Sequence, residues 1–240
     1  MGVFSGPTES WLYNTRTGGL HQLVTDGLVL ALDAANTSSY PGSGNTWTDL
    51  SGNSNTGTLT NGPTYSSDNG GVLSFDEVDD YVDIADSTSL QFGTGDFTIS
   101  VWAYPRKVDY GGSDQGTLIS KNYLGVEIYL YQGRFNSYIG GVSNSITGSI
   151  YPLLTNTWYN FVLQREGTSC SSYVNTVLNG SSTNSSSVSQ VGTNFNIGRR
   201  TGSSAYTLNG NIAHVSMYNR ALTAAEVLQN FNHLKDRFGI

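Results

Sequence analysis

The sequence predicts an all-β protein built as a sandwich of two antiparallel sheets, and three observations support that prediction. Residues 97–104 alternate between a face with Phe97, Ile99, Val101 and Ala103 and a face with Thr98, Ser100, Trp102 and Tyr104, which is the two-residue period of a strand. Turn dipeptides such as Gln132-Gly133 separate further alternating runs. Only 12% of the 240 residues are charged and 29 are glycine, a composition typical of many short strands joined by polar turns. This length fits one β-sandwich domain.

The predicted strands follow one another through most of the chain. Pro105 ends the alternating strand, because proline cannot donate a hydrogen bond to a sheet. Asn179-Gly180 is a common turn dipeptide and is expected to close the strand that starts at Tyr173. The predicted strands cover residues 28–33, 97–104, 126–131, 134–139, 158–165, 173–178 and 210–218.

One helix is predicted at the C-terminal end. Thr223 and Glu226 have the spacing of a capping box, in which each residue bonds the backbone of the other. Apolar residues then recur at helical spacing on one side, at Val227, Phe231, Leu234 and Phe238. The sequence shows no internal repeat and no second domain.

Residues 1–21 form a predicted N-terminal arm, and residues 22–240 form the sheet domain. The arm is largely polar and contains several glycines, with one apolar cluster at Trp11, Leu12 and Tyr13. Exposing three such side chains to water is unfavourable. The arm is therefore expected either to pack on its own domain or to anchor the protein on a partner subunit, and the sequence leaves both open.

Charge and composition exclude several classes of partner. The net charge is −7 and the eleven Lys and Arg residues are scattered, whereas nucleic-acid binding requires clustered positive charge. No apolar stretch approaches membrane-spanning length, and the N-terminus lacks the features of a signal peptide. With one cysteine, Cys170, no disulfide can form within the chain. We expect neither a nucleic acid nor a membrane as partner.

Seven short sequence segments, here called phrases, occur in a fixed order along the chain. The ordered set is more specific for a fold than any single phrase. They are Gly27-Leu-Val-Leu-Ala-Leu-Asp33, Tyr40-Pro-Gly-Ser-Gly44, Trp47-Thr-Asp-Leu-Ser-Gly-Asn53, Phe75-Asp-Glu-Val-Asp-Asp-Tyr-Val82, Ile197-Gly-Arg-Arg200, Gly210-Asn-Ile-Ala-His214 and Tyr218-Asn-Arg-Ala-Leu-Thr-Ala-Ala-Glu-Val227. Together they resemble the laminin-G-like and concanavalin A-like jelly-roll family, in the version found in bacteriophage virion proteins. The resemblance implies a jelly-roll β-sandwich over residues 22–240 with a C-terminal helix. It implies less about function, since this fold serves lectins, glucanases and structural modules alike.

The glucanases of this fold place several carboxylates on one strand, and this chain departs from their motif. The nearest approach is Glu77-Val-Asp79-Asp80-Tyr81-Val82, in which the third carboxylate is missing. The phrase also has the composition of a turn, and the resembled family has glycine where this chain has Glu77. A retaining glycosidase needs a paired acid and nucleophile, so we predict that the protein is not an enzyme.

Asp76, Asp79 and Asp80 crowd three carboxylates into one predicted turn. Many domains of the resembled family hold calcium at the rim of the sandwich, and calcium prefers such oxygen ligands. The expected cofactor is therefore Ca²⁺. The alternative is that one of the three caps the turn, another pairs with an arginine and the third faces water.

Four aromatic residues are candidates for sugar contact: Trp102, Tyr104, Tyr129 and Tyr131. The first two lie opposite the Phe97 face of their strand, and the last two share a face of theirs. The alternative is that loops cover these faces and that the rings only pack.

The resemblance favours a phage virion surface protein, either a capsid decoration protein or a head or tail fibre component, with host-glycan adhesion as a further role. Its expected partners are other virion proteins, further copies of itself in a homo-oligomer, and a host cell-surface glycan. The alternative is a free carbohydrate-binding module or lectin without catalytic activity. The two differ in whether the N-terminal arm docks on another subunit.

Overall fold

Sixteen strands and one α-helix follow one another in the part of the chain that the computed structural model describes, residues 22–112, 114–148 and 152–240. The predicted arm, with Trp11, Leu12 and Tyr13, lies outside these residues. The strands are β1 (Leu28–Asp33), β2 (Thr46–Trp47), β3 (Gly57–Thr60), β4 (Thr64–Ser66), β5 (Val72–Asp76), β6 (Tyr81–Ile84), β7 (Phe97–Pro105), β8 (Gly116–Ser120), β9 (Val126–Tyr131), β10 (Arg134–Ile139), β11 (Val142–Thr147), β12 (Tyr159–Glu166), β13 (Ser169–Val174), β14 (Val177–Thr183), β15 (Phe195–Ile197) and β16 (Asn209–Tyr218). The helix is α1 (Ala224–Phe238).

The strands form two antiparallel eight-stranded sheets, so the predicted all-β jelly-roll sandwich is confirmed. The first, sheet A, has the order β14-β13-β12-β7-β16-β5-β4, and β1 also pairs with β16. The second, sheet B, has the order β11-β10-β9-β8-β15-β6-β3-β2. The acidic phrase after Phe75 connects β5 of sheet A to β6 of sheet B and is a turn, as predicted.

The alternation seen in the sequence decides which side chains fill the space between the sheets. In β7, Phe97, Ile99 and Val101 are buried in the main apolar core. Trp102 and Tyr104 point to the opposite side of the sheet and belong to a separate cluster. The outer face of sheet A therefore carries an apolar cluster around Trp102, which requires a cover of its own.

Helix α1 supplies that cover. The predicted capping box is present: the Glu226 backbone N–H donates to Thr223 Oγ1 at 3.3 Å, and the Thr223 N–H donates to Glu226 Oε2 at 2.8 Å. At the other end of the helix, Phe238 packs against two tryptophan rings, with centroid distances of 4.5 Å to Trp102 in β7 and 4.3 Å to Trp158, just before β12. The predicted apolar side of the helix is thus buried on the sheet.

The turn predicted at Asn179-Gly180 is wrong. The chain reverses earlier, at Asn175 and Thr176, whose positive φ angles of 48° and 71° are those of a tight hairpin turn. Asn179 lies within β14 and is buried, and it donates a hydrogen bond to Ser172 Oγ at 3.1 Å. Asparagine adopts positive φ more readily than most residues, so both Asn175 and Asn179 are candidates for the turn. The short sequence pattern does not decide between them.

We expect Phe238→Ala to destabilise the protein by about 3 kcal/mol, because it removes a buried aromatic that packs on two tryptophans. Urea denaturation monitored by tryptophan fluorescence measures this loss. Leu228→Ala is the matched control, since Leu228 lies on the same helix and is 47% exposed. Equal stability of the two variants would contradict the role given to α1.

Candidate functional site

The four aromatic residues predicted to contact sugar do not come together. Trp102 is 1% exposed beneath Phe231 and Phe238, and Tyr104 packs near Trp158 on the same covered face of sheet A. The sugar-contact prediction is therefore wrong for Trp102, because the helix occupies the face that a sugar would need.

On sheet B, Tyr129 is 3% exposed, and its ring lies 5.2 Å from that of Tyr138. Burial likewise contradicts a direct sugar contact by Tyr129. Tyr131 is half-buried, and its hydroxyl donates to the Gly112 carbonyl at 3.4 Å. Tyr131 belongs to sheet B, whereas Trp102 and Tyr104 belong to sheet A.

The three aspartates of the acidic turn do come together. One carboxylate oxygen from each of Asp76, Asp79 and Asp80 lies within 4.8 Å of the others. Asp76 and Asp79 are exposed, whereas Asp80 is 5% exposed. Among the described residues no lysine or arginine forms an ion pair with any of the three.

Burial and the nearby Asp76 charge raise the pKa of Asp80 from 3.8 to about 6. The native state therefore holds this proton more strongly than the unfolded chain does. As the pH rises from about 4 to about 6, the native state loses stability, and the loss persists at higher pH. A divalent cation would offset it, so the donor set and its charge fit calcium.

A shallow cavity of about 360 Å³ lies on the outer face of sheet B, at a place the sequence did not indicate. Tyr81 and Asp83 reach it from β6, and Asn196 reaches it from β15. Asn194, Arg199 and Thr201 complete much of its wall. Val82 and Ile84, which alternate with the first two, are fully buried in the core. The same alternation that fills the core therefore points Tyr81 and Asp83 outward.

Two amides hold the Asp83 carboxylate in this cavity. Asn194 Nδ2 donates to Asp83 Oδ2 at 2.8 Å. The hydrogen-bond network orients the Asn196 amide so that its nitrogen donates to Asp83 Oδ1 at 3.1 Å. Each carboxylate oxygen has a second lone pair, so Asp83 remains able to accept from a ligand hydroxyl.

Arg199 lies against the aromatic side of the cavity. Its guanidinium carbon is 3.6 Å from the centre of the Tyr81 ring, a cation–π contact. Its backbone pairs with Thr207, whose hydroxyl donates to the Glu77 carbonyl at 2.8 Å. The segment that carries Arg199 is thereby tied to the acidic turn.

Arg200 points away from β6, across β8 toward β9, and forms a buried ion pair there. Its Nε donates to Glu127 Oε2 at 2.9 Å, and the Glu127 side chain is fully buried. Gln115 donates to the same carboxylate and accepts from Arg200 Nη2 at 2.9 Å. Burial raises the pKa of Glu127, while Arg200 opposes that shift.

The structure also brings together residues that the sequence keeps far apart. Asp33, His214 and His233 line a small cavity of about 20 Å³ beside α1. Burial lowers the pKa of His214 to about 4, so this imidazole is neutral near pH 7.

Comparison with protein families now identifies the domain. Residues 76–228 match the family of the concanavalin A-like lectin/glucanases superfamily, Laminin_G_3. The chain belongs to this family. Comparison with curated proteins gave no match.

Solved structures share the fold at low sequence identity. The binding domain of Paraclostridial mosquitocidal protein 1 is 18% identical with a TM-score of 0.66, and the match covers 87% of this chain and 52% of that one. Trypanosoma rangeli sialidase in complex with sialic acid is 17% identical with a TM-score of 0.65, over 91% of this chain and 35% of that one. A third structure is domain 4 of AbnA, a GH43 extracellular arabinanase from Geobacillus stearothermophilus, in complex with arabinotriose. It is 18% identical with a TM-score of 0.63, and the match covers 85% of this chain and 97% of that one. The chain thus spans about half of the toxin domain and a third of the sialidase.

The carboxylate nearest to a glucanase motif is held by other side chains of this lectin-like domain. Glu77 forms an ion pair with Lys107, and its Oε2 accepts from Asn209 Nδ2 at 2.9 Å. Its φ of 70° lies in the region that favours glycine, the residue found here in the resembled phrase. None of the helices in the described residues is long and apolar enough to cross a membrane.

Proposed function

We propose that this lectin-like domain binds a carbohydrate in the cavity of Tyr81, Asp83 and Arg199. One observation carries the proposal: an open cavity of about 360 Å³ in which a carboxylate and two amides meet. Carboxylates and amides that converge in this way are hydrogen-bonding partners for ring hydroxyls. The volume lies at the lower end of the range of small-ligand sites, about 300–1,000 Å³.

The comparisons support the same proposal. The match covers 97% of domain 4 of the arabinanase, and the structure of that domain is a complex with arabinotriose. That domain shows that a jelly roll of this shape can hold a sugar without the rest of an enzyme. We propose that the present domain likewise binds without hydrolysing, since Glu77 is held by Lys107 and Asn209.

A further proposal concerns the acidic turn, where Asp76, Asp79 and Asp80 hold Ca²⁺. The bound ion would fix the turn that leads from β5 into Tyr81, the first residue of β6 and part of the cavity wall. Its support is the crowding of the three carboxylates and the burial of Asp80.

We also propose that the domain is displayed on the surface of a phage particle. Its support is the order of the sequence phrases and the apolar triplet Trp11, Leu12 and Tyr13. In this proposal the arm anchors the protein on other virion subunits or on further copies of the chain, and the cavity faces a host glycan.

Asp83→Asn is expected to weaken glycan binding at least about tenfold, because it replaces a charged acceptor by an amide that must also satisfy Asn194 and Asn196. A glycan array followed by calorimetry on the best ligand, with arabinotriose included, measures the change. Asp68→Asn is the matched control, since Asp68 is exposed and lies in a turn outside the cavity. No binding to any glycan by the unaltered protein would refute the proposed function.

Chelation of Ca²⁺ is expected to lower the melting temperature at pH 7.5. A ligand bound only by the native state stabilises it by about 2.7 kcal/mol at one hundred times its dissociation constant. The double variant Asp79→Asn/Asp80→Asn should show no difference with and without chelator, while Asp68→Asn should retain it. With chelator present, Asp80→Asn should be more stable than the unaltered protein above pH 6, because it lacks the unfavourable buried charge. Identical melting curves with and without chelator would exclude the ion.

Deletion of residues 1–21 is expected to leave the β domain folded but to prevent incorporation into particles. Burying an aromatic of this size on a partner would contribute about 2–3 kcal/mol by area, less the cost of ordering the arm. Circular dichroism checks the fold, and co-purification with particles checks incorporation. A truncated protein that assembles at full occupancy would place the anchor elsewhere.

A further inference from the structure

Arg199 differs from every other arginine in the described residues. Six of these seven arginines donate hydrogen bonds from the guanidinium to protein oxygens; they are Arg106, Arg134, Arg165, Arg200, Arg220 and Arg237. Arg199 donates none to a described residue, and its Nε is buried without a partner. It also forms no ion pair with a described carboxylate. Its guanidinium therefore lies at the wall of an open cavity without an ion-pair partner among the described residues.

The guanidinium is nevertheless held in place. Its central carbon lies over the Tyr81 ring, 3.6 Å from the ring centre, and the backbone of Arg199 pairs with Thr207. Gly198, just before it, has a φ of 84°, and a Cβ at that position would overlap the Phe75 ring. The chain thus leaves β15 at a point where only glycine fits. A group held in this way loses little freedom when it binds a ligand.

The carboxylates around the cavity already have partners. Asp83 accepts from the amides of Asn194 and Asn196. Asp86, which accepts from the Gly192 N–H at 2.7 Å, forms a close ion pair with Lys121. In this neighbourhood the positive charge of Arg199 is the one without a counter-ion among the described residues.

We propose that the cavity takes an acidic sugar, with Arg199 binding the sugar carboxylate and Asp83 accepting from a ring hydroxyl. This inference rests on the proposed carbohydrate binding and names its ligand class. A guanidinium offers parallel N–H donors that match a carboxylate in two bonds, and such charge-assisted bonds are stronger than neutral ones. The acid would be a uronic acid or a sialic acid, which present the same carboxylate chemistry.

The test compares ligands that differ only in charge. The probes are trigalacturonate and its methyl ester for the uronic acid, and 3′-sialyllactose and its methyl ester for the sialic acid. We expect the unaltered protein to bind one of the two acids about tenfold or more tightly than its ester, as measured by calorimetry, since a hydrogen bond to a charged group is worth about that much. The pair that shows the difference identifies the source of the carboxylate.

Two variants of Arg199 then assign the preference to this residue. Arg199→Gln should reduce the ratio of acid to ester affinity to near 1. Arg199→Lys should give an intermediate ratio, because lysine keeps the charge but lacks the planar pair of donors. Arg134→Gln is the matched control and should keep the full ratio, since Arg134 is exposed and donates to the Gly148 carbonyl outside the cavity.

Failure of this inference differs from failure of the proposed function. Equal affinity for acid and ester, or a preference that survives Arg199→Gln, would overturn the acidic-sugar inference. Binding of neutral sugars that Asp83→Asn abolishes would still leave carbohydrate binding in place. Absence of binding to every acidic and neutral probe would overturn both.

Discussion

The buried ion pair between Glu127 and Arg200 is the constraint on which the candidate site depends. Glu127 projects from β9 and is fully buried, and an isolated charge there would be strongly destabilising. Arg200 must therefore stay beside it, which fixes the segment after β15 over β8 and β9. Arg199, the preceding residue, then extends to the other side of β15 and lies on Tyr81 of β6. Two adjacent arginines thus differ in role because one has a buried partner and the other faces an open cavity.

The two faces of the sandwich are unequal, and this inequality explains where a ligand can bind. The outer face of sheet A carries an apolar cluster around Trp102, and helix α1 covers it. Sheet B has an apolar inner face and an outer face with polar residues such as Asp83 and Asn196. Polar groups on a sheet face need no apolar cover, and a cavity can therefore remain open above them. Helix α1 thus covers the apolar cluster on the outer face of sheet A, whereas the outer face of sheet B carries the open cavity.

The sequence predicted those features that depend on neighbours along the chain. The capping box of Thr223 and Glu226, the hairpin at Gln132-Gly133 and the acidic turn all follow from local residue types. The sugar-contact prediction failed for Trp102 because alternation shows which residues share a face, not what covers that face. The cavity was missed because Tyr81 and Arg199 are more than a hundred residues apart and meet only through the pairing of β6 with β15. The local sequence feature that pointed toward the cavity was Arg199, which directly follows Gly198 at the end of β15.

The acidic composition of the chain does not decide the charge of its ligand. The net charge of −7 is a sum over the whole surface, and charges more than about 8 Å apart are screened from each other at physiological salt. Within the cavity only the nearest groups count. Asp83 is held by two amides and Asp86 by Lys121, whereas Arg199 donates no hydrogen bond to a described residue. A ligand would meet a fixed positive group beside a partly satisfied carboxylate, an arrangement that selects for one acid group flanked by a hydroxyl. The local pairing of charges, rather than their total, therefore determines what such a surface can recognise.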